Sequence, residues 1–280
     1  MTATGIASTP PSILVCLKFV PDPAQLQADS ATGRPDLARA PIRISTFDEN
    51  AIEAALRLAA EHAGRVVAMS LCAQMPPRDV VLKALAMGVA AVYLVRDDER
   101  LAHDPLRVAT VLAAAARTIA ARESLARWDL VICGEASADE YNQQVGPRLA
   151  ASMNVPAVTY ATALSLEGGV LRAERGIEDR TEVLELEPPA LITVGTEINT
   201  ARMPTVLQIM GAGRKPLVEL ALAELAGIDV AQLKALPGIE LLDVFSPPSV
   251  RKRIAISGDS AGEIAADLLR RLGIDGEVTF

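Results

Sequence analysis

The sequence predicts an α/β fold built on a doubly wound, mainly parallel β-sheet. Apolar runs alternate with helix-like segments over residues 13–153. Such alternation is typical of right-handed parallel crossovers, which place helices on both faces of the sheet. After residue 153 the pattern changes to runs in which apolar and polar residues alternate, and this change predicts an antiparallel extension of the sheet.

The elements of the first half follow from their apolar runs and from glycine and proline positions. Asp48 is expected to cap the first helix, and Asp104 followed by Pro105 is expected to open the third. Gly88 closes the second helix. A polar excursion over 21–45 separates the first strand from the first helix. The predicted strands of this half are 13–20, 65–71, 90–95 and 128–133.

The second half begins with a hairpin signal at Gly168-Gly169 between two alternating runs. A buried strand is expected after Pro188-Pro189. The predicted strands of this half are 157–166, 170–175, 181–186 and 190–194.

The sequence of the last part of the chain is more typical of an arm than of a domain, because its hydrophobic core would be too small for independent folding. It contains an apolar segment from residue 217 and a strand-like run over 239–245 that ends at Pro247-Pro248. A final helix is capped by Asp259 or Ser260 and ended by Gly273. We therefore divide the chain into an N-terminal tail (1–12), an α/β domain (13–216) and a C-terminal arm (217–280).

Composition excludes several classes of function. The formal net charge is −8, the pI is near 5.0, and no Lys/Arg run could follow a phosphate backbone, so nucleic acid is not an expected partner. No apolar stretch is long enough to span a membrane. The N-terminus lacks the charged and apolar regions of a signal peptide, so we expect a cytoplasmic protein.

Cysteine and histidine usage gives no metal or catalytic centre. Cys16, Cys72 and Cys133 each lie in or beside an apolar run, and no pair has the spacing of metal ligands. Buried free thiols in a reducing compartment are the expectation. His62 and His103 lie near predicted helix ends, where we expect them to be solvated.

The segment 131–147 is the strongest functional candidate. An apolar strand stops at Gly134, a small acidic loop follows, and a helix opens after Gly146. Loops at the carboxyl ends of parallel strands bind ligands, and a helix N-terminus offers free N–H groups to an anion. An ordinary strand-to-helix turn is an equal alternative, because the glycines match neither the Walker pattern nor GxGxxG.

The segment 195–216 presents apolar side chains on a short helical turn between flexible flanks. Such side chains either pack into the core or form a docking surface for another protein. The residues concerned are Val206, Leu207, Ile209 and Met210.

Several stretches, in their order and spacing, resemble the beta subunit of electron transfer flavoproteins, including the nitrogen-fixation-associated and carnitine-associated relatives. The stretches are ILVCLKFVPD, FDENAIEAALRL, ALAMG, GEASADEYNQQVGP, EPPALITV and IMGAGRKP. The resemblance implies an adenine-nucleotide α-hydrolase-like fold and a heterodimer with an alpha subunit. That partner would hold most contacts to a shared redox FAD, and the arm 217–280 would pack on it.

The resemblance also implies a nucleotide pocket in this chain. The backbone N–H groups of 143–146 would hold a phosphate. The docking interpretation of 206–210 is favoured over core packing, and no catalytic residue or metal ligand is implied. The residues implied for the pocket are Cys16, Ser45, Phe47, Asp48, Ser70, Leu71, Gly134, Asp139, Glu140, Asn142, Gln143, Gln144, Val145 and Gly146.

Two departures from the family pattern bear on function. Glu140 adds negative charge and Tyr141 adds bulk where a pyrophosphate would lie, so AMP is favoured over a second FAD. In the docking segment the usual lysines are reduced to Arg214 and Lys215, which leaves the identity of the partner open.

The resulting hypothesis is an electron carrier subunit and not an enzyme. It would accept electrons from a flavin dehydrogenase and deliver them to a quinone reductase or another acceptor. One alternative is an electron-bifurcating type that oxidises NADH with a second FAD in this subunit. A remote alternative is a protein that hydrolyses or senses adenine nucleotides.

Overall fold

A nine-stranded sheet forms the centre of the molecule. The computed structural model describes residues 10–29, 32–97, 101–236, 238–239, 241–246 and 253–274. The strands in these ranges are β1 (Ser12–Cys16), β2 (Phe19–Pro21), β3 (Ile42–Ile44), β4 (Arg65–Cys72), β5 (Ala91–Arg96), β6 (Leu130–Gly134), β7 (Ala157–Glu167), β8 (Val170–Ile177), β9 (Arg180–Leu186), β10 (Ala190–Val194) and β11 (Leu217–Ala221). The helices are α1 (Thr46–Glu61), α2 (Arg78–Met87), α3 (Pro105–Arg122), α4 (Val145–Met153), α5 (Val206–Ala212), α6 (Val230–Ala235) and α7 (Ala261–Ile274).

The strand order is β11-β5-β4-β1-β6-β10-β7-β8-β9. Neighbouring strands from β11 to β7 are parallel, whereas β8 is antiparallel to both β7 and β9. The predicted doubly wound, mainly parallel sheet with an antiparallel extension is therefore confirmed. The chain builds from β1 through β4 to β5 and then crosses to β6 on the other side of β1. β1 and β6 thus flank a topological switch point, where open α/β sheets bind ligands.

The two faces of the sheet are buried under separate helix layers. Because side chains alternate along a strand, Ile13 and Val15 of β1 pack in the cluster that contains α1 and α2. Leu14 and Cys16 pack in the cluster on the opposite face, together with α3 and α4. The carboxyl end of β1 is consequently fixed from both sides.

The predicted first strand, 13–20, is wrong in its second half. β1 ends at Cys16, and Phe19–Pro21 pairs antiparallel with Ile42–Ile44 in a separate two-stranded sheet. The break has a long-range cause, because the backbone N–H of Lys18 donates to the carboxylate of Asp48 at 2.7 Å. That donor is then not available to a neighbouring strand of the main sheet.

The segment predicted as an arm begins inside the main sheet. Leu217–Ala221 pairs parallel with β5 and forms one edge of the sheet. The strand predicted at 239–245 is wrong for the described residues of that run, which form no regular element. They are held by individual contacts, such as the Ile239 N–H donating to Asp104 Oδ2 at 2.8 Å. Pro247, Pro248 and residues 1–9 lie outside the described residues.

The last helix is capped by Ser260, whose hydroxyl accepts the Glu263 N–H at 3.3 Å. Gly273 lies within α7 and does not end it, contrary to the prediction. Among the described helices, none combines the length and the apolar character needed to cross a bilayer.

Candidate functional site

A cleft opens at the carboxyl ends of β1 and β6, at the switch point of the sheet. Its walls come from the end of β1, the first turn of α1, the start of α3, the loop after β6 and the start of α4. The topology thus brings together most of the residues predicted for the pocket. The predicted residues that line the cleft are Cys16, Asp48, Leu71, Gly134, Glu140, Asn142, Gln143, Gln144, Val145 and Gly146.

Asp48 joins three elements beneath the cleft. It lies in the first turn of α1, and its carboxylate accepts the backbone N–H of Lys18 at 2.7 Å and that of Gly134 at 3.2 Å. Burial raises the pKa of this carboxyl group to about 7, although the two N–H donors act in the opposite direction. The predicted role of Asp48 as helix cap is wrong, since Ser45 occupies the N-cap position.

Two glycines allow the loop and α4 to approach the rest of the site. A Cβ at residue 134 would lie 2.5 Å from Asp48 Oδ1 and 2.7 Å from Phe47 Cβ. A Cβ at residue 146 would lie 2.3 Å from Thr193 Cγ2. Both distances are shorter than van der Waals contact, so a side chain at either position would force the neighbouring groups apart.

The N-terminus of α4 faces the cleft without a side-chain cap. Gln144 is the N-cap residue but makes no capping hydrogen bond, and its amide oxygen instead accepts from Arg148 at 2.8 Å and 3.0 Å. The first N–H groups of a helix have no partner within the helix. Here they belong to Val145 and Gly146, which both line the cleft, and the next residue is Pro147. This geometry can receive an anion.

A cluster of charges lies on one side of the cleft. The Lys18 ammonium contacts Asp139 Oδ2 and Glu140 Oε2, each at 2.9 Å. The other Glu140 oxygen lies 3.3 Å from His103 Nδ1. The sequence did not single out Lys18, although its position directly after an apolar strand run was a usable signal.

Tyr141 lies outside the cleft lining, contrary to the expectation that its bulk would fill the ligand site. Its ring packs edge-on against Phe47 with the ring centroids 5.6 Å apart, and its hydroxyl donates to Glu135 at 3.4 Å. Tyr141 and Gln143 both have positive φ angles, 51° and 57°. Of these two residues, Gln143 lines the cleft and Tyr141 does not.

The remaining predicted residues support the site from behind. Ser45 is buried, and its hydroxyl accepts the Ala138 N–H at 3.3 Å. Ser70 is also buried, with Cys72 Sγ donating to its hydroxyl at 3.5 Å. Phe47 packs on Tyr141 of the loop and Asp139 lies within the loop, but both are absent from the lining. None of these four side chains borders the cleft directly.

One wall of the cleft was not predicted from the sequence. The start of α3 and the turn before it supply mainly apolar side chains, for which the sequence predicted only a helix that opens at Asp104 and Pro105. The residues concerned are Ala102, Pro105, Val108 and Leu112.

Cys16 and Cys133 lie side by side on neighbouring strands at the cleft floor. Both are buried and free, as is Cys72. A hydrogen bond with Cys133 and burial raise the pKa of the Cys16 thiol well above its usual value. The expectation of buried free thiols is confirmed. Within the described residues, no group of three or more potential metal ligands was found.

A second surface of interest lies on α5, away from the cleft lining. Val206, Leu207, Ile209 and Met210 are 57–81% exposed, so the alternative in which they pack into the core is wrong. Thr205 and Gln208 form a capping box that fixes the start of this helix.

Lys215 does not contribute to a basic docking cluster. Its ammonium donates to the carbonyl oxygens of Leu85 and Val89 at 2.7 Å and 2.9 Å. These carbonyls lie at the end of α2, so Lys215 caps that helix. Arg214 is then the basic side chain that remains from the pair seen in the sequence.

The fold and the cleft together define a doubly wound α/β protein with an uncapped helix N-terminus in the cleft at its switch point. Residues 37–225 match the family model of the electron transfer flavoprotein domain. The chain belongs to the electron transfer flavoprotein family, as the resemblance in its sequence indicated. Proteins with this domain bind flavin and are generally electron carriers that act with partner dehydrogenases and reductases.

Proposed function

We propose that this chain is the beta subunit of a heterodimeric electron transfer flavoprotein and binds AMP in the cleft. The observation that carries the proposal is the pairing of the family match with an uncapped helix N-terminus at the switch point. The matched residues include the whole loop after β6. No chemistry on the nucleotide is required, because bound AMP would act as a structural ligand that stabilises the folded state.

One part of the cleft suits the base of such a ligand and another part suits its phosphate. Leu71, Val108 and Leu112 supply apolar surface that suits an adenine ring. The N–H groups of Val145 and Gly146 suit a single phosphate, with the positive end of the α4 dipole behind them. A pyrophosphate would need more donors than this first turn offers, because Pro147 has no N–H.

Electron transfer would rely on an FAD shared with an alpha subunit. The flavin supplies the redox chemistry, and the protein supplies binding and orientation. In this chain the α5 surface would dock a flavin dehydrogenase, and a quinone reductase or another acceptor would take the electrons.

The C-terminal segment has side chains suited to an alpha subunit. Leu242 is 87% exposed and Phe245 67% exposed, and α7 carries Ile264, Leu268 and Leu269 at 41–48%. Exposed apolar side chains at this density indicate a surface that another protein covers.

An electron-bifurcating type with a second FAD in place of AMP is the second candidate. One observation favours it: Tyr141 packs on Phe47 and leaves the cleft free of the bulk expected from the sequence.

Nucleotide extraction from the heterodimer separates the two candidates. The chain is copurified with its alpha partner, the protein is denatured, and the released nucleotides are separated and quantified. One FAD and one AMP per heterodimer is the result expected. Two FAD and no AMP would overturn the AMP proposal in favour of bifurcation, whereas steady ATP turnover by the purified chain would point to a nucleotide hydrolase.

A further inference from the structure

Lys18 is the only Lys or Arg among the described residues that line the cleft. Its ammonium lies 2.9 Å from both Asp139 Oδ2 and Glu140 Oε2, and it donates to Ser137 Oγ at 3.4 Å. An ammonium group has three N–H donors, so all three have partners in the protein. A phosphate that enters the cleft can bond to Lys18 only by displacing one of them.

The two carboxylates differ in how firmly they are held. Asp139 lies outside the cleft lining, and its Oδ1 also accepts the backbone N–H of Glu140 at 2.8 Å. Glu140 lines the cleft, and its side chain is 32% exposed. Its further contacts, to His103 and Asn142, are both 3.3 Å long. Glu140 is therefore the partner that a phosphate would displace.

We infer that Glu140 competes with the phosphate of a bound nucleotide for Lys18 and so limits the negative charge that the ligand can carry. This inference rests on the proposed nucleotide site and deepens it. Lys18 and the first turn of α4 line the same cleft, so a phosphate at the helix N-terminus meets the Glu140 carboxylate as a like charge. Replacing the Glu140 carboxylate by an amide removes its repulsion of the phosphate and weakens its interaction with the Lys18 ammonium.

The test compares adenosine, AMP and ADP as probes in calorimetric titrations of the full-length chain after nucleotide removal. Glu140→Gln is expected to leave adenosine affinity unchanged and to raise AMP affinity about 2–5-fold, the range for a partly exposed ion pair. The gain for ADP is expected to be larger than that for AMP. Lys18→Gln is expected to lower AMP affinity about 10–100-fold, as for loss of a hydrogen bond to a charged group, with adenosine again unchanged.

Glu167→Gln serves as the matched control, since it removes the same charge from an exposed residue at the end of β7. It is expected to leave all three affinities unchanged. Equal gains for adenosine and AMP in Glu140→Gln, or a loss of AMP affinity, would overturn the inference. If the wild-type chain binds neither adenosine nor AMP, the proposed AMP site fails instead. Pyrophosphate then becomes the probe, and no gain for Glu140→Gln would overturn the inference as well.

Discussion

Asp48 should give the protein a measurable pH dependence of stability. Burial raises its pKa from 3.8 to about 7, so between these values the native chain holds a proton that the unfolded chain has released. The free energy of unfolding therefore falls as the pH rises towards 7. Each pKa unit is worth about 1.4 kcal/mol, so the free energy of unfolding decreases by about 4 kcal/mol over the whole titration. About 2.5 kcal/mol of this decrease falls between about pH 5 and pH 8.

Asp48→Asn isolates this contribution, because asparagine keeps the size of the side chain and one acceptor oxygen but cannot titrate. As the pH rises from about 5 to 8, the free energy of unfolding of the variant is expected to increase by about 2.5 kcal/mol relative to that of the wild type. Urea unfolding at several pH values measures the difference. Asp179→Asn is the control, since that side chain is 85% exposed and its profile should parallel the wild type.

A constant difference between Asp48→Asn and the wild type across this pH range would refute the reasoning. It would mean that the N–H groups of Lys18 and Gly134 stabilise the carboxylate enough to offset its burial.

Three further predictions concern packing, docking and thiol chemistry. Gly146→Ala places a Cβ 2.3 Å from Thr193 Cγ2 and should cost about 1–3 kcal/mol in urea unfolding. Adding Thr193→Ser, which removes that methyl group, should restore part of the loss, and a lack of rescue would contradict the packing argument. Leu207→Ala should change stability by less than about 0.5 kcal/mol and slow electron uptake from the partner dehydrogenase about fivefold or more. Unchanged kinetics would exclude Leu207 from the proposed docking surface. Burial raises the pKa of the Cys72 thiol to about 11, so a thiol-reactive disulfide reagent near pH 8 should label it only after unfolding, and rapid labelling of the native protein would contradict this.

Local sequence signals located most of the regular elements. The Asp104-Pro105 pair begins α3 as predicted, and the Asp104 carboxylate accepts the N–H groups of Leu106 and Arg107 at 2.9 Å. Gly88 ends α2 with a φ of 138°. These signals succeed because a cap or a left-handed glycine acts through neighbouring residues of the chain.

The failures occurred where a distant residue decided the local structure. An apolar run predicts that the first strand continues to residue 20, but β1 stops at Cys16 because the Lys18 N–H bonds to Asp48. Asp48, to which its sequence neighbourhood assigned the cap position, instead lies in the first turn of α1 and holds Lys18 and Gly134. Periodicity describes only which faces of an element are apolar, and it contains no information about such long-range hydrogen bonds.

The sequence alone was sufficient for the fold class and for membership in the electron transfer flavoprotein family, and it singled out the loop after β6 as the candidate site. Each of these depends on the order and spacing of residues along the chain. Only the tertiary structure decided that Lys18 is already paired with Asp139 and Glu140, that Tyr141 lies outside the cleft, and that the side chains on α5 are exposed. The physical reason is that charge pairing and burial depend on distances between residues far apart in sequence, which are fixed only when the sheet and helices pack.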